Sequence, residues 1–413
     1  MVTLRVLMLT PEFLPVHGGV GNYVLEIARN FQDDVNVHIV TPRCDSLLAN
    51  RADEISETEK DLPQNIKVTH LGTASESFFK NLSFQLICSK YVPEIARKEK
   101  VDIVHSQSSM PDYLISPNKL RIPIVTTMHT TVEGHSAALR EAASSSTQLT
   151  FSEKLVLLLG PALGRFEARY YTNQRYYITV SRWAKQVMID SQGIEPSRIR
   201  VINICADYSR FSPSRAEEAR ARFPELAEVA APKVLYLSRM ATRKGMDVLM
   251  RAIPRVLSRT DAHFIFAGAG KKPDFAIPQR NYTFLGHVVG DAPPFLYALS
   301  DIFVLPSLYE NFPACILEAM ASKCAVVSTR VGGIPEMIED GADGVLIPAN
   351  DSEALAESLT RLVEDKALRA DMGSKARESV IRRYNWKEAS SRTLEYYEEV
   401  VAQHRLKTNG RRG

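Results

Sequence analysis

Short apolar runs alternate with helical patterns along this chain, and this alternation is the feature that most limits its fold. In the first half, the runs typical of buried strands are LRVLMLT, VNVHIVT, VDIVHSQ, IPIVTTMH, YYITVS and IRVINI. Between the first two, Val24, Ile27 and Phe31 follow helical spacing. Strands that alternate with helices predict an α/β domain built on a parallel sheet.

The same alternation restarts after Ser212–Lys233, a segment rich in charge and alanine. The runs of the second half are KVLYLS, HFIFAGAG, YTFLGHV, DIFVLPS, AVVSTR and GVLIP. A chain of 413 residues also exceeds one ordinary hydrophobic core. We therefore predict an α/β domain over 1–211, a second over 212–385, and a last helix with a basic tail over 386–413.

Two helices near the end carry recognisable signals. Asn350 and Glu353 have the spacing of a capping box, which predicts where one helix begins. In the last helix, Trp386, Leu394 and Tyr397 share one face, so this helix is expected to pack on a domain.

Composition excludes several classes of protein. The net charge of +3 gives no support to a nucleic-acid partner. The apolar run Leu155–Leu163 is less than half of the roughly 20 residues that span a bilayer. Five cysteines without metal-ligand spacing indicate reduced thiols in a cytoplasmic protein. They are Cys44, Cys88, Cys205, Cys315 and Cys324.

Two glutamates follow the predicted strand DIFVLPS in the second half. Glu310 is expected on the loop at the carboxyl end of that strand, and Glu318 about one turn into the next helix. Open α/β sheets bind ligands at this edge, and a cleft between two domains is a common ligand site. Carboxylates there can accept hydrogen bonds from sugar hydroxyls.

Two cations follow the first strand of the second half. Arg239 and Lys244 are five residues apart on a loop that enters a helix. An arginine fork and a lysine ammonium at this position are suited to a diphosphate. The alternative is a solvated basic loop.

The first half has a glycine-rich segment, PVHGGVGNYV, after its first strand. Gly18 and Gly19 allow a tight turn, and the helix behind them would present unpaired N–H groups to an anion. The spacing is not the dinucleotide fingerprint. We also take His129, His105 and His17 as candidates for the acceptor side, because the first two lie at the ends of neighbouring predicted strands.

The segment PSLYENFPACILEAMASKCAVVSTRVGGIPEMIEDGADGVLIPAND resembles the C-terminal signature of the family 4 retaining glycosyltransferases. PEFLPVHGGVGNYVLEIARNF is similar to that family's glycine loop and first helix, and LSRMATRKGMDVLMRAI to its phosphate-binding segment. The resemblance covers nearly the whole chain. It implies the GT-B architecture, in which two Rossmann-like parallel-sheet domains face each other across a cleft and the C-terminal helix crosses back to the N-terminal domain.

The resemblance also implies roles for the second-half residues. Arg239 and Lys244 would bind the diphosphate of a nucleotide-sugar. Glu310, with the backbone amides of Asn311 and Phe312, would contact the hydroxyls of the donor sugar.

The remaining implied roles concern the ribose and the reaction centre. Glu318 would accept the ribose hydroxyls, and His129 would lie beside the donor sugar. Gly18 and Gly19 would lie near the phosphates and the acceptor. One departure from the family pattern is Lys323, which occupies a turn where the family usually has glycine.

The function expected on this resemblance is metal-independent transfer of a sugar, with retention, from a nucleotide-sugar to an acceptor hydroxyl. A UDP-sugar is favoured over a GDP-sugar on family frequency. No cofactor or metal is expected, and a glycan, a glycolipid and a small molecule all stay open as the acceptor. The basic, aromatic segment Phe78–Lys100 fits a solvated amphipathic helix better than a peripheral membrane contact.

Three other functions remain open at this point. They are a GT-B sugar-nucleotide epimerase, a non-catalytic nucleotide-sugar-binding protein, and an NAD-dependent enzyme. The last is disfavoured by the glycine spacing and by the lack of an acid after the second strand.

Overall fold

The computed structural model describes residues 4–13, 19–32, 34–44, 62–74, 78–107, 111–115, 120–129, 175–288 and 290–409. These residues divide into two compact units. The first contains the described parts of Met1–Thr131 and Leu163–Ile204, together with the final segment from Trp386. The second contains Cys205–Asn385.

The strands are short, and in both sheets they pair in parallel. They are β1 Leu4–Leu9, β2 Val35–Cys44, β3 Ile66–Ala74, β4 Ile103–Gln107, β5 Ile124–Met128, β6 Tyr176–Thr179, β7 Ile199–Val201, β8 Lys233–Leu237, β9 His263–Ala267, β10 Tyr282–Gly286, β11 Ile302–Leu305, β12 Ala325–Thr329 and β13 Val345–Ile347.

The described helices follow most of these strands, although no α-helix is described between β2 and β3, β4 and β5, β5 and β6, or β9 and β10. They are α1 Gly19–Arg29, α2 Phe78–Lys98, α3 Arg182–Gln192, α4 Ala216–Arg222, α5 Pro224–Ala227, α6 Met246–Leu257, α7 Ala292–Leu299, α8 Ala314–Ala321, α9 Ile334–Met337, α10 Ser352–Glu364, α11 Lys366–Arg383 and α12 Trp386–Asn409.

Both units have the strand order of a nucleotide-binding α/β fold. The first sheet has seven strands in the order β3-β2-β1-β4-β5-β6-β7, and the second has six in the order β10-β9-β8-β11-β12-β13. In each sheet the order reverses beside the unit's first strand, between β1 and β4 and between β8 and β11. Ligands of such sheets bind at the carboxyl ends of the strands beside this reversal.

The strands are apolar on both sides because helices cover both faces of each sheet. All five residues of β9 and β12 are buried, as are Val6–Leu9 of β1. Helix α2 buries Phe84 and Cys88 against the first sheet and exposes Leu86 and Tyr91, which is the amphipathic pattern predicted for this segment.

The last helix packs on the first unit, which confirms the predicted return of the chain. The Ser390 hydroxyl donates a hydrogen bond to the carbonyl of Ile27 in α1, at 3.0 Å. The Tyr396 hydroxyl donates to the carbonyl of Arg198, at 2.8 Å. Tyr397 is fully buried in the same unit.

Two local details differ from expectation. Strand β3 was not among the predicted strands, although its residues pair with seven positions of β2. The cap of α10 is Asp351 rather than Asn350: its carboxylate accepts hydrogen bonds from the amides of Glu353 and Ala354. Asn350 instead has a positive φ of 59°, a conformation that asparagine tolerates better than most residues.

Within the described ranges, no helix has the length and apolar character needed to cross a membrane.

Candidate functional site

Two loops of the second unit meet beside the strand-order reversal. One follows β8 and contains the 3₁₀ turn Thr242–Lys244, and the other follows β11. Gly245, at φ 74°, lies so close to the second loop that a Cβ would be 1.8 Å from the Pro306 carbonyl oxygen. The Leu308 amide donates to the Arg243 carbonyl at 2.9 Å. These contacts fix the two loops against each other.

Lys244 and Glu310 form an ion pair across these loops. Lys244 Nζ lies 2.5 Å from Glu310 Oε1, and the Ser307 hydroxyl donates to the same oxygen at 2.9 Å. Glu310 is only 6% exposed, so these two partners supply hydrogen bonds that water would otherwise provide. The side chains that the sequence placed on separate loops therefore form one cluster.

The backbone of the β11 loop is held from a third side by the turn after β12. A Cβ at Gly332, which has φ 54°, would be 1.6 Å from the Glu310 carbonyl oxygen. The Gly333 amide donates to the Asn311 carbonyl at 2.9 Å. Glycine at position 332 is thus required for the position of Glu310.

Glu318 lies on α8, one turn from its start. The Tyr297 hydroxyl donates to Glu318 Oε2 at 3.0 Å, and the carboxyl is half-buried. Burial raises the pKa of Glu318, although the Tyr297 hydrogen bond and the charge of Arg210 act in the opposite direction. Within the described chain, no hydrogen bond to Glu318 Oε1 is found, so this oxygen can accept from a ligand.

Arg239 lies on the β8 loop and is exposed. Its backbone carbonyl accepts a hydrogen bond of 2.8 Å from the hydroxyl of Tyr236, a buried residue of β8. This hydrogen bond fixes the loop to the strand that precedes it. Among described residues its guanidinium forms no ion pair. The cluster has an excess of positive charge, because it contains the cations of Arg239 and Lys244 and one carboxylate, that of Glu310.

Asn311 and Phe312 follow Glu310 and are buried, at 5% and 3% exposed. The Phe312 ring packs edge-on against Tyr384, with centroids 5.7 Å apart. The contribution predicted for these two residues involves their backbone amides, and the packing of Phe312 fixes that backbone.

In the first unit, the amino end of α1 differs from the prediction. Glu12 Oε1 accepts hydrogen bonds from the amides of Val20 (2.9 Å) and Gly21 (3.2 Å). Two of the N–H groups that were expected to be unpaired are therefore capped by a carboxylate, which the helix dipole also favours. Gly19 begins the helix and is exposed. His17 and Gly18 lie outside the described residues.

His129 and His105 are joined by a buried glutamine. His129 Nε2 lies 3.0 Å from Gln107 Oε1, and Gln107 Nε2 lies 3.2 Å from His105 Nε2. Burial lowers the pKa of His129 to about 4. Burial, with a smaller effect of His129, lowers that of His105 to about 3. Both imidazoles are therefore neutral at pH 7.

The proposal of His105 as an acceptor contact is wrong. Its side chain is fully buried, its Nδ1 contacts the Tyr397 hydroxyl at 2.5 Å, and its Nε2 contacts the Thr127 hydroxyl at 2.7 Å. A fully buried ring with both nitrogens in hydrogen bonds has no surface to offer a substrate. His105 is part of the core that supports His129.

Four residues of these clusters were not predicted from the sequence. Ser307 and Gln107 stand at strand ends, where polar side chains often meet ligands, and that position is the signal that would have found them. Tyr297 and Glu12 reach their partners from distant elements, so no local pattern identifies them. The four are Ser307, Gln107, Tyr297 and Glu12.

The sequence matches two families of known proteins. Residues 17–210 match the family described as Glycosyltransferase Family 4, and residues 231–365 match the one described as Glycosyl transferases group 1. Together the two matches cover most of the chain.

Curated relatives carry related names. A D-inositol 3-phosphate glycosyltransferase of Salinispora tropica is 26% identical over 448 aligned positions, covering 98% of this chain and 87% of that protein. An alpha-maltose-1-phosphate synthase of Mycolicibacterium smegmatis is 30% identical over 233 residues, covering 51% of this chain and 59% of that protein.

Solved structures match over nearly the full length. A glycosyltransferase of Rickettsia africae has a TM-score of 0.72 at 22% identity, covering 97% of this chain and 99% of that one. Anabaena HepE, solved in complex with UDP-glucose, has a TM-score of 0.69 at 20% identity, covering 96% of this chain and 100% of that one. These likenesses confirm the predicted GT-B fold.

Proposed function

The chain belongs to the family 4 and group 1 glycosyltransferases, and from that premise we propose that it transfers a sugar, with retention, from a nucleoside-diphosphate sugar to an acceptor hydroxyl. The proposed donor is a UDP-sugar, with a GDP-sugar as the second candidate, and the reaction needs no metal. The observation that carries the proposal is the Lys244–Glu310 ion pair, which lies at the strand-order reversal of the second unit.

The cationic part of this cluster suits a diphosphate. Arg239 is exposed on the same loop as Lys244, so both can reach one anionic ligand. Charge develops on the diphosphate as the bond to the sugar breaks, and fixed cations stabilise that charge. Lys244 is oriented by Glu310 before the donor arrives, which lowers the reorganisation needed during the reaction.

The carboxylates suit the two sugars of the donor. Glu310 is held with its oxygens in the cluster that would contain the transferred sugar, whose hydroxyls are hydrogen-bond donors. Glu318 has one oxygen bonded to Tyr297, and its other oxygen would accept from the ribose. Burial raises the pKa of Glu318 because it removes water from the carboxyl. Ribose hydroxyls would supply hydrogen bonds in place of that water.

Retention requires that the acceptor attack from the face that the diphosphate leaves. We assign no protein nucleophile; the acceptor oxygen forms the new bond to the sugar, the sugar–phosphate bond breaks, and the departing phosphate oxygen takes the acceptor's proton. The role of His129 is to contact the donor sugar. Arg239 and Lys244 supply the charge stabilisation that a metal provides in other transferases, which supports metal independence.

Two named proteins support the choice of donor and acceptor. HepE was solved with UDP-glucose, and a relative aligned over 98% of this chain is named a D-inositol 3-phosphate glycosyltransferase. A UDP-hexose donor and a hydroxylated acceptor, such as a polyol, glycan or glycolipid, are therefore the first to assay. The protein would act in the cytoplasm, where nucleotide-sugars are made.

The test is thermal stabilisation by UDP, GDP, ADP, their common sugar conjugates and NAD, followed by turnover assays with EDTA present. We expect UDP or a UDP-sugar to raise the melting temperature, and nucleoside diphosphate to be released only when acceptor is added. Stabilisation by NAD alone would contradict the proposal. Donor turnover without any acceptor, giving an isomeric nucleotide-sugar, would favour the epimerase instead.

A further inference from the structure

Tyr384 is a buried residue at the end of α11 that contacts two separate segments of the second unit. Its ring packs edge-on against Phe312, with centroids 5.7 Å apart. Its hydroxyl donates a hydrogen bond of 3.0 Å to the carbonyl of Glu336, a residue of the short helix α9. One side chain thus joins the loop that follows β11 to the helix that follows β12.

The direction of the Tyr384 hydrogen bond is fixed by its neighbours. A backbone carbonyl can only accept, so the hydroxyl proton points to Glu336. The hydroxyl oxygen accepts in turn from the Arg383 guanidinium at 2.8 Å, and that guanidinium lies over the Tyr384 ring, 5.0 Å from its centroid. Burial raises the pKa of Tyr384 to about 12, so the hydroxyl keeps its proton at neutral pH.

Helix α9 is itself fixed to the loop that carries Glu310. The turn before α9 contains Gly332, where a Cβ would lie 1.6 Å from the Glu310 carbonyl oxygen. The next residue, Gly333, donates its amide to the Asn311 carbonyl at 2.9 Å. Tyr384 therefore contacts this loop twice, directly through its ring and indirectly through α9.

We infer that Tyr384 is a positioning residue for the donor sugar, which holds the backbone of 310–312 in the geometry that sugar binding requires. The inference rests on the proposed function for its consequence, because the Glu310 carboxylate and the amides of Asn311 and Phe312 are the proposed sugar contacts. Tyr384 acts through these groups and is assigned no contact with the donor. A displacement of about 1 Å in such groups can lower a rate by about 100-fold.

The contacts of Tyr384 are confined to one end of the site. Glu318, the proposed ribose contact, accepts a hydrogen bond from Tyr297, whose ring packs against those of Phe211 and Phe303. Within the part of the chain that the structure describes, none of these four residues forms a hydrogen bond or ring contact with Tyr384. Loss of the Tyr384 ring should therefore disturb sugar binding and spare the ribose.

The first measurement is hydrogen exchange of the full chain, followed by mass spectrometry without any nucleotide. Tyr384→Leu should exchange faster than wild type in peptides that cover 307–318 and 331–340. Tyr282→Leu is the matched control, because Tyr282 is also buried but packs on Phe275, at the start of β10. It should leave both peptides unchanged. Equal exchange in Tyr384→Leu and wild type would overturn the inference, whether or not any nucleotide binds.

The second measurement is calorimetric binding of UDP and UDP-glucose. In Tyr384→Leu, the Kd for UDP-glucose should rise about tenfold, whereas the Kd for UDP should stay within about twofold of wild type. An equal loss of both affinities would contradict a role at the sugar. If wild type binds neither nucleotide, the proposed function fails, and the exchange data alone decide whether Tyr384 positions the loop.

Tyr384→Phe is a more conservative variant that keeps the ring and removes the hydroxyl. It breaks the hydrogen bond to α9 and retains the contact with Phe312, so exchange should rise more in 331–340 than in 307–318. This variant carries the test if Tyr384→Leu does not fold. Exchange over 331–340 equal to that of wild type would then overturn the inference.

Discussion

The Tyr297 hydroxyl donates a hydrogen bond of 3.0 Å to Glu318 Oε2 and leaves the second oxygen of that carboxyl for another partner. The Tyr297 side chain is itself fully buried, between the rings of Phe211 and Phe303. The carboxyl is thus held by a rigid aromatic residue at a desolvated place. Burial of an ionised carboxyl lowers the stability of the free protein, and on the proposed role of Glu318 that loss is offset when the ribose binds.

Glu318→Gln should therefore stabilise the free protein and weaken nucleotide binding. The folded-state pKa of Glu318 is raised above the unfolded value of 4.5. Its favourable contribution to the unfolding free energy is therefore complete below pH 4.5 and is lost as the pH rises through the folded pKa. The melting temperature of the variant should exceed that of wild type at pH 8, and the difference should shrink toward pH 4. Glu318→Ala should weaken nucleoside diphosphate binding by about 1–3 kcal/mol in calorimetry. Unchanged affinity in both variants would remove the ribose assignment.

Lys244→Met should lower both stability and turnover. It leaves the Glu310 carboxylate 6% exposed without its cation, which typically costs about 3–5 kcal/mol. The double variant Lys244→Met, Glu310→Gln should recover part of that stability but none of the lost turnover. Turnover should fall about 100-fold in both the single and the double variant, since charge stabilisation at the diphosphate is lost.

The control for this pair is Lys366→Met, an exposed lysine at the start of α11 in the same unit. Its turnover and melting temperature should match those of wild type. If Lys244→Met retained full turnover, the pair would be structural only.

Lys323→Gly should stabilise the protein. Lys323 is exposed and has φ 64°, a left-handed conformation that costs a side-chain-bearing residue about 1–2 kcal/mol. The turn at Lys323 packs closely on α11, since a Cβ at Gly373 would lie 2.1 Å from the Lys323 carbonyl oxygen. After the entropy that glycine adds to the unfolded chain, a gain of about 0.5–1 kcal/mol in unfolding free energy is expected.

Lys323→Ala separates backbone strain from charge at this position. It removes the ammonium but keeps the strained φ, so chemical denaturation should show little change. An equal gain in the alanine variant would mean that charge, not conformation, is responsible.

Acid should destabilise the first unit through His129 and His105. Their folded-state pKa values, about 4 and about 3, lie below the ordinary 6.5. Their contribution to the unfolding free energy is thus complete above pH 6.5 and is lost as the pH falls toward their folded-state pKa values. Each should steepen the loss of unfolding free energy by about 1.4 kcal/mol per pH unit. Denaturation of His129→Gln between pH 7 and 5 should show a shallower dependence of the unfolding free energy on pH than wild type, and an equal slope in the two proteins would contradict this assignment.

Arg175 and Asp112 form a buried ion pair in the same unit. Both side chains are almost completely buried, and Arg175 also donates to the Ile115 carbonyl at 3.0 Å. Arg175→Met should cost about 3–5 kcal/mol, because Asp112 would keep a buried charge after losing the guanidinium that pairs with it. In urea unfolding, the double variant Arg175→Met, Asp112→Leu should lose less unfolding free energy than the single variant Arg175→Met. Equal losses in the two variants would mean that the backbone contacts of Arg175 dominate.

Much of the fold could be predicted because the local pattern and the tertiary structure agree. All twelve predicted strand runs contain a strand, since a strand covered by helices on both faces must be apolar throughout. Strand β3 is different: Lys67, Thr69 and His70 interrupt its apolar character, so its identity comes from pairing with β2. The cap of α10 was misplaced by one residue because Asn350 and Asp351 are both good caps, and only the backbone angles distinguish them.

The site could be predicted in part. Glu310 and Lys244 were placed on loops at the carboxyl ends of strands, and the sheet topology brings those loops together. Nothing local reveals that Glu12 would cap α1 or that Gln107 would join two histidines. Such contacts depend on side-chain directions from separate elements, which periodicity does not encode.

The position of α12 has a consequence for how the protein is made. The described residues of the second unit lie within 205–385, whereas the first unit also needs the later helix Trp386–Asn409, which contacts His105 and α1. During synthesis, the domain that begins first is thus finished last. Until the final helix leaves the ribosome, α1 and His105 lack the contacts that Ser390 and Tyr397 make, so the core of the first unit is completed only after the second unit has been synthesised.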